Sequence, residues 1–212
     1  VRAIVHNFAD LDDYRIFENR TVARGVNVSA LRPLPGVPRS IARMRVADEH
    51  DVVRELDRYL EDTRTAAFVV LHDDLIVYER YSRGFDEHSL LNSFSIAKAM
   101  MSALVGIAVS EGRIESLDAP VARYRPDLAG TPYGAVPLRR LLTMTSGMGD
   151  PPSILPGQAE IYYTDDLRGR VAQARPEERP LNGGRYIEAD IQALGLVLEA
   201  AVGKPISAFQ FG

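Results

Sequence analysis

The sequence of 212 residues contains no cysteine, which excludes disulfide bonds, thiolate zinc sites and a cysteine nucleophile. It also has no apolar run that approaches the roughly 18 residues of a membrane-spanning helix, so we expect no membrane span in this chain. Acidic side chains outnumber basic ones by 29 to 25. No excess of positive charge is therefore available to attract nucleic acid. The content of 46% hydrophobic and 25% charged residues is typical of a folded globular domain.

Lysine is scarce, because Lys98 and Lys204 are the only lysines among the 25 basic residues. Lys98 lies in the most apolar segment of the chain, Ser95 to Glu111. Arginine stays charged in proteins, whereas lysine can lose its proton when burial disfavours the charged form. A lysine at this place therefore indicates a role that depends on its ionisation.

The distribution of Pro and Gly indicates two parts. Residues 1–45 mix Pro, Gly and charge without periodicity and are predicted to form an N-terminal extended arm, with a partial domain over residues 46–212. Asp48 and the apolar spacing that follows it predict a helix that ends near Thr63. Ala66–Leu71 and Leu75–Tyr81 are typical of two antiparallel strands joined by a tight turn. An isolated hairpin is marginally stable, so further strands must pair with it.

The remaining segments predict helices. Ser95 to Glu111 is apolar on nearly every face, which is typical of a helix buried at the centre of a domain. Shorter helices are predicted over residues 119–124 and 138–142, and a longer one over Ala189–Ala201 that ends at Gly203. The pattern predicts an α+β fold: an antiparallel sheet flanked by helices, an all-helical portion, and Ser95 at their junction.

Ser95 and Lys98 carry the most specific chemical signal. Three residues apart on a helix, their side chains lie on one face about one turn from each other. A serine hydroxyl is a weak nucleophile until a nearby base removes its proton, and a lysine can take part in that transfer. The structural alternative is that Ser95 only caps the helix and that Lys98 extends into solvent.

The blocks around these residues are similar to a known family. SFSIAKAMMSALVGIAVSEGRI, LDAPVARYRPDLAG and LRRLLTMTSGM, between Asn92 and Gly147, resemble serine hydrolases of the class C β-lactamase and penicillin-binding-protein superfamily. GRYIEAD, followed by IQALGLVLEAAVGKP, resembles its second motif and aligns Tyr186 with the family's tyrosine. The resemblance is to the esterase and 6-aminohexanoate-dimer hydrolase branch, and it implies a β-lactamase/transpeptidase-like fold.

This resemblance implies a mechanism without a cofactor or a metal. Ser95 would form an acyl-enzyme with a small-molecule ester or amide, with Lys98 and Tyr186 as the general acid and base groups. Whether Lys98 or Tyr186 is the base is open at this point. A tyrosine serves as a base near neutral pH only if a neighbouring cation stabilises its phenolate. The alternative is a catalytically silent binding or scaffold protein that retains the fold.

The sequence departs from the family pattern in two places. Glu188 stands where penicillin-recognising members carry an Asn, and a carboxylate offers no hydrogen for a substrate amide. Glu188 is thus a candidate substrate-binding residue, although acids such as Glu188 and Asp190 also favour the first turn of a helix. The family's third motif, a Lys-Thr-Gly or His-x-Gly strand, would follow Gly212. We therefore expect a C-terminal remainder or a second chain to complete the sheet.

Other polar clusters carry less weight. His72-Asp73-Asp74 and the segment Asp48 to Asp51 lack the spacing of zinc or calcium sites, so no metal site is predicted. Tyr162 and Tyr163 follow a Pro-rich stretch and either line a substrate cleft or pack a loop against the domain. Relatives with such N-terminal arms are often exported, and an exported or periplasmic location is the corresponding expectation.

Overall fold

A computed structural model describes residues 9–22, 25–26, 28–35, 40–149, 159–177 and 184–209. The chain forms two compact units, Arg24–Leu91 and a second one that joins Val1–Ala23 to Asn92–Gly212. The predicted arm of residues 1–45 is therefore divided between the two units. The Pro- and Gly-rich segments 148–156 and 175–184, which the sequence predicts to be loops, lie for the most part outside the described residues.

The described residues of the unit Arg24–Leu91 form five strands and one helix. They are β1 (Arg32–Pro33), β2 (Arg45–Ala47), β3 (Val53–Glu55), α1 (Leu56–Asp62), β4 (Ala67–His72) and β5 (Leu75–Tyr81). β4 and β5 pair in antiparallel fashion, which confirms the predicted hairpin. Asp73 and Asp74 form its turn with φ values of 49° and 60°. Two consecutive residues with positive φ match the twist of a two-residue hairpin.

The arm supplies one of the expected partner strands, because β1 pairs in parallel with β5. The helix predicted from Asp48 onward is wrong at its start. Residues 45–47 and 53–55 instead pair as the antiparallel strands β2 and β3. The Asp48 carboxylate accepts hydrogen bonds from the N–H groups of His50 and Val52 and so closes the turn between these strands. α1 begins only at Leu56 and ends where predicted.

The second unit is helical. Its α-helices are α2 (Ile96–Ser110), α3 (Leu138–Leu142), α4 (Ala159–Tyr163), α5 (Leu167–Ala172) and α6 (Glu188–Val202), and its 3₁₀ turns are Asp13–Arg15, Val121–Arg123, Pro126–Leu128, Pro132–Ala135 and Ile206–Ala208. The longer helices lie where the sequence predicts them, and the segment 119–124 forms a 3₁₀ turn. α6 stops at Gly203, whose φ of 71° suits a residue without a side chain. One core joins these elements, with Leu194 and Leu198 of α6 fully buried within it.

The expectation that α2 is buried on nearly every face is wrong for the described residues. Val105 and Ala108 are buried in the core, but Ile96 is 68% exposed and Met100 is 56% exposed. The single core of this unit lies on one side of α2, so the opposite apolar side chains have no packing surface among the described residues. The apolar composition of a helix shows that it can be buried, but it does not show how many of its faces are buried.

Candidate active site

The N-terminus of α2 brings Ser95 and Lys98 together. Ser95 is the N-cap residue and its carbonyl accepts the N–H of Lys98 at 3.0 Å, so the two residues occupy one helical turn. Lys98 Nζ donates a hydrogen bond to Ser95 Oγ at 3.1 Å, which confirms the predicted proximity. The Ser95 side chain makes no capping hydrogen bond, and the Lys98 side chain is only 17% exposed. The alternative of a capping serine and a solvated lysine is therefore wrong.

Tyr186 reaches the same serine from a distant part of the chain. Its hydroxyl lies 2.5 Å from Ser95 Oγ, and its side chain is half exposed. The preceding backbone is fixed because the Arg185 N–H donates to the Met144 carbonyl at 3.0 Å. A Cβ atom on Gly184 would lie 3.0 Å from that same carbonyl oxygen. Glycine thus allows the segment before α6 to approach the Met144 turn closely enough to place the Tyr186 hydroxyl beside Ser95.

Glu188, the first residue of α6, forms an ion pair with Lys98. The Glu188 Oε2–Lys98 Nζ distance is 2.8 Å, and both side chains are mostly buried. Burial alone would lower the pKa of Lys98, but the hydrogen bond and negative charge of Glu188, together with the contacts of Tyr186, outweigh it and raise that pKa above its ordinary value. The ammonium form is therefore the stable one at neutral pH. The sequence-based expectation that burial disfavours the charged lysine is reversed by a carboxylate 90 residues away.

The tyrosine ring also contributes to the electrostatics of Lys98. Lys98 Nζ lies 4.9 Å from the centroid of the Tyr186 ring, within the range of a cation–π contact. An ammonium group in contact with both Ser95 and Tyr186 favours negative charge on either oxygen. Lys98 thus places a positive charge beside the Ser95 hydroxyl and the Tyr186 ring.

The two acids at the start of α6 have separate partners, so the explanation that they only complement the helix dipole is wrong. Glu188 is paired with Lys98, as described above. Asp190 is completely buried and accepts hydrogen bonds from the hydroxyls of Tyr133 at 2.8 Å and Ser146 at 2.6 Å. Asp190 thereby fixes the first turn of α6 to the loop that contains Ser146.

Tyr162 and Tyr163 lie on α4 and pack against the N-terminal segment. Tyr163 is 7% exposed, and its ring stacks on Phe17 at a centroid distance of 6.0 Å. The Tyr162 hydroxyl lies between the Asn92 amide and the Asp13 carboxylate, at 2.6 Å and 3.2 Å. Tyr163 therefore packs a loop against the domain, which is one of the two roles expected from the sequence. The polar contacts of Tyr162 are likewise with residues of the fold itself.

Asp13 and Asn92, the two partners of the Tyr162 hydroxyl, carried no signal in the sequence. Asp13 is 149 residues from Tyr162, and Asn92 is 70 residues from it. Glu188 departs from a family pattern, but the sequence does not indicate that Lys98 is its partner. Contacts over such separations leave no local pattern, so only the fold reveals them.

Two features are absent from the described part of the chain. It contains no group of three His, Asp or Glu side chains arranged to hold a metal ion. None of its helices has both the length and the apolar character needed to cross a membrane.

Two curated proteins with similar sequences are hydrolases by name. Over 128 residues, the chain is 37% identical to a 6-aminohexanoate-dimer hydrolase of Paenarthrobacter ureafaciens, a match that covers 59% of this chain and 28% of the relative. Over 144 residues, it is 33% identical to Esterase EstB of Burkholderia gladioli, covering 59% of this chain and 36% of that protein. The chain thus spans about a third of the length of these relatives.

Solved structures support the same fold. A Bacillus anthracis protein assigned as a 6-aminohexanoate-dimer hydrolase superposes with a TM-score of 0.71 at 24% identity, over 79% of this chain and 48% of that one. The α+β, β-lactamase-like fold expected from the sequence is confirmed, with helices and small sheets that cover part of that larger fold. The model of the Beta-lactamase family matches residues 52–209, about three quarters of the chain. With that match, the chain belongs to the β-lactamase family.

Proposed function

We propose that this protein is a serine hydrolase that cleaves an ester or amide bond through an acyl-enzyme on Ser95. One observation carries the proposal: Ser95 Oγ lies within hydrogen-bonding distance of both Lys98 Nζ and the Tyr186 hydroxyl, at 3.1 Å and 2.5 Å. A hydroxyl flanked by a cation and a group that can accept its proton is the arrangement of an activated nucleophile. The hydrolase names of the relatives support the same reaction class.

In the proposed reaction, Ser95 Oγ attacks the substrate carbonyl carbon while its proton moves to Tyr186. The tetrahedral intermediate collapses to an ester on Ser95, and Tyr186 returns the proton to the leaving alcohol or amine. A water molecule then attacks the acyl-enzyme by the same steps in reverse, which releases the acid and restores Ser95. The backbone N–H of Ser95, at the N-terminus of α2, is a candidate donor to the oxyanion.

The ion pair with Glu188 favours Tyr186 as the base. Lys98 is held as an ammonium by Glu188, so it has no lone pair with which to take a proton from Ser95. Its positive charge instead stabilises the phenolate form of Tyr186. Glu188, a candidate substrate contact in the sequence, is on this proposal a residue that positions Lys98 and balances its charge.

Labelling with a fluorophosphonate tests the nucleophile. The intact wild-type protein should be labelled on Ser95, and Ser95→Ala should abolish labelling. Ser93→Ala is the matched control, because it removes a serine hydroxyl two residues away and should leave labelling intact. Wild-type protein that is folded but not labelled would refute the proposal and favour a catalytically silent binding protein. Hydrolysis of a short-chain ester, a linear amide and a β-lactam would then identify the substrate class.

Substitutions of Lys98 test its role as a fixed cation. Arginine keeps its charge at every working pH, so Lys98→Arg should retain more of the labelling rate than Lys98→Ala, by about tenfold. If Lys98 were itself the base, the two variants would lose labelling equally, because neither side chain can take up a proton there. The thermal midpoints of both variants, measured in parallel, separate a loss of chemistry from a loss of folded protein.

A further inference from the structure

The residue that precedes Ser95 has a strained backbone. Phe94 has a φ of 44°, in the left-handed region that bulky side chains rarely adopt. A bulky residue is strained in this region and keeps the conformation only when its surroundings fix it. Phe94 joins the segment that follows Asn92 to Ser95 at the start of α2. Its backbone angles therefore set the directions of the Ser95 N–H and Oγ. The strain is thus located where it determines the aim of the nucleophile.

The side chain of Phe94 rests on Tyr162. The two rings are stacked with their centroids 6.4 Å apart and an interplanar angle of 20°. Tyr162 is itself fixed at its hydroxyl, which accepts a hydrogen bond from Asn92 Nδ2 and donates one to Asp13. Burial, together with the nearby Asp13 carboxylate, raises the pKa of Tyr162 to about 12. The hydroxyl therefore stays protonated and keeps both contacts at neutral pH.

Residues 11–17 of the N-terminal segment contact both Asn92 and Tyr162. The Leu11 carbonyl accepts the Asn92 N–H at 2.7 Å. Asp13 is 7% exposed, and the Phe17 ring meets the Tyr162 ring edge to face at 5.4 Å. Both the backbone and the side chain of Asn92, two residues before Phe94, are thus tied to residues 11–17, directly or through one tyrosine hydroxyl.

We propose that Asp13 and Phe17, acting through Tyr162, and Leu11, acting through the backbone of Asn92, form a clamp that holds Phe94 in its left-handed conformation and so positions Ser95 for attack. The arm clamp, as we call Leu11, Asp13, Phe17 and Tyr162, rests on the proposed function of Ser95. None of its members touches the reacting atoms, so they are positioning residues. The clamp makes the N-terminal segment a working part of the catalytic site.

The first test removes one hydroxyl. Tyr162→Phe keeps the ring that supports Phe94 and deletes the oxygen that joins Asn92 to Asp13. Tyr124→Phe is the matched control, because the Tyr124 hydroxyl accepts a hydrogen bond from the Glu115 N–H at 2.9 Å within the same unit. We expect the rate of fluorophosphonate labelling to fall about tenfold in Tyr162→Phe and to remain unchanged in Tyr124→Phe. The thermal midpoints of the two variants should change by similar amounts.

The second test asks whether the clamp acts through the backbone of Phe94. Glycine adopts positive φ without the penalty of a side chain. In a Phe94→Gly background, the additional effect of Tyr162→Phe on the labelling rate should therefore fall from about tenfold to about twofold. A purely stabilising role for Tyr162 would give the same factor in both backgrounds, and that result would overturn the proposal.

The outcomes separate this proposal from the one on which it rests. If the wild type is not labelled on Ser95, the proposed function fails, and the clamp with it. If Ser95 is labelled but Tyr162→Phe reacts at the wild-type rate, the clamp is wrong and the proposed function stands. Should Tyr162→Phe lower the thermal midpoint far more than the control does, Phe17→Leu takes its place, because it retains apolar volume and removes the ring contact. A wild-type labelling rate in folded Phe17→Leu would likewise refute the clamp.

Discussion

Lys98 illustrates how one contact decides the chemistry of a residue. Two opposing influences act on its ammonium group: burial, which disfavours the charge, and the Glu188 carboxylate, which favours it. Because the carboxylate is in direct contact at 2.8 Å, attraction prevails and the pKa is raised. The charged form, and the stability that it contributes, is then fully present below the ordinary pKa of 10.5. It is lost only as the pH rises through the higher value of the folded protein.

Glu188→Gln should move the basic limb of the pH–rate profile to lower pH. The amide removes the charge that raises the pKa of Lys98 and leaves the burial that lowers it, so Lys98 should lose its proton at a lower pH than in the wild type. The measurement is the labelling rate of Ser95 between about pH 6 and pH 11. Glu111→Gln, at the other end of α2, is the control and should leave the profile unchanged. A basic limb at the wild-type position in Glu188→Gln would contradict the ion-pair explanation.

At the scale of elements, α6 is fixed by polar contacts at its start and apolar contacts along its length. Asp190 is buried and hydrogen-bonded by the hydroxyls of Tyr133 and Ser146, and Ser146 Oγ also accepts the Met148 N–H at 3.1 Å. Buried polar networks of this kind specify one arrangement, because every alternative leaves a polar group without its partner. The position of Glu188, two residues before Asp190, follows from this anchoring.

Asp190→Ala should therefore destabilise the protein strongly. It removes the acceptor of two buried hydroxyls and leaves a cavity, which together should lower the free energy of unfolding by about 2 to 4 kcal/mol. Asp118→Ala is the comparison, because the Asp118 side chain is 71% exposed in its ion pair with Arg139 and should contribute little. Denaturant unfolding of both variants measures the difference. Equal stabilities for the two variants would show that Asp190 does not anchor the helix.

Sequence patterns predicted the positions of helices and strands better than they predicted which segments pair with each other. The β4–β5 hairpin and α6 were located correctly, because alternation, helical periodicity and a terminal glycine are local signals. The residues after Asp48 were predicted as helix because their apolar spacing also fits one. Pairing with Arg45–Ala47 draws Val53–Glu55 into a strand instead. β-propensity of this kind depends on what lies across the sheet, which a local pattern does not contain.

The candidate site was predictable where helical spacing or the family pattern determined it. Ser95 and Lys98 are joined by one helical turn, and Tyr186 was located by its motif. The ion pair of Lys98 with Glu188 and the contact of Asp13 with Tyr162 join distant parts of the chain. No periodicity encodes such contacts, because they depend on how complete elements pack.

At the scale of the whole molecule, ion pairs link elements that the apolar core also joins. The Asp127 carboxylate accepts hydrogen bonds from Nε and Nη2 of Arg125, both at 2.9 Å. It also forms an ion pair with Nε of Arg168, on α5, at 2.8 Å. Arg125 also donates to the carbonyl of Leu196 on α6 at 3.4 Å. One carboxylate thus connects a 3₁₀ turn with two helices of the same unit.

The charge balance makes stability at low pH depend on such carboxylates. At neutral pH, 29 acidic and 25 basic side chains nearly cancel. In acid, the carboxylates become neutral while the Lys, Arg and His side chains carry a large positive charge, and self-repulsion then favours unfolding. A carboxylate that resists protonation delays this change, because it keeps its negative charge beside its partners.

Asp127→Asn should lower stability at neutral pH, and the effect should disappear in acid. Arg125 and, more weakly, Arg168 lower the pKa of Asp127 to about 2 from an ordinary value of 3.8. A lowered pKa stabilises the folded state above pH 3.8, and this contribution is lost as the pH falls toward 2. Because the carboxylate is partly solvated, we expect the substitution to lower the free energy of unfolding by about 1 kcal/mol at neutral pH.

Urea unfolding of the wild type and the Asp127→Asn variant at pH 7, 4 and 2.5 measures this difference. Asp74→Asn, in the exposed β4–β5 turn, is the matched control. A wild-type advantage that is absent at pH 7, or that persists undiminished at pH 2.5, would show that the Asp127 ion pairs do not contribute through the charge of this carboxylate.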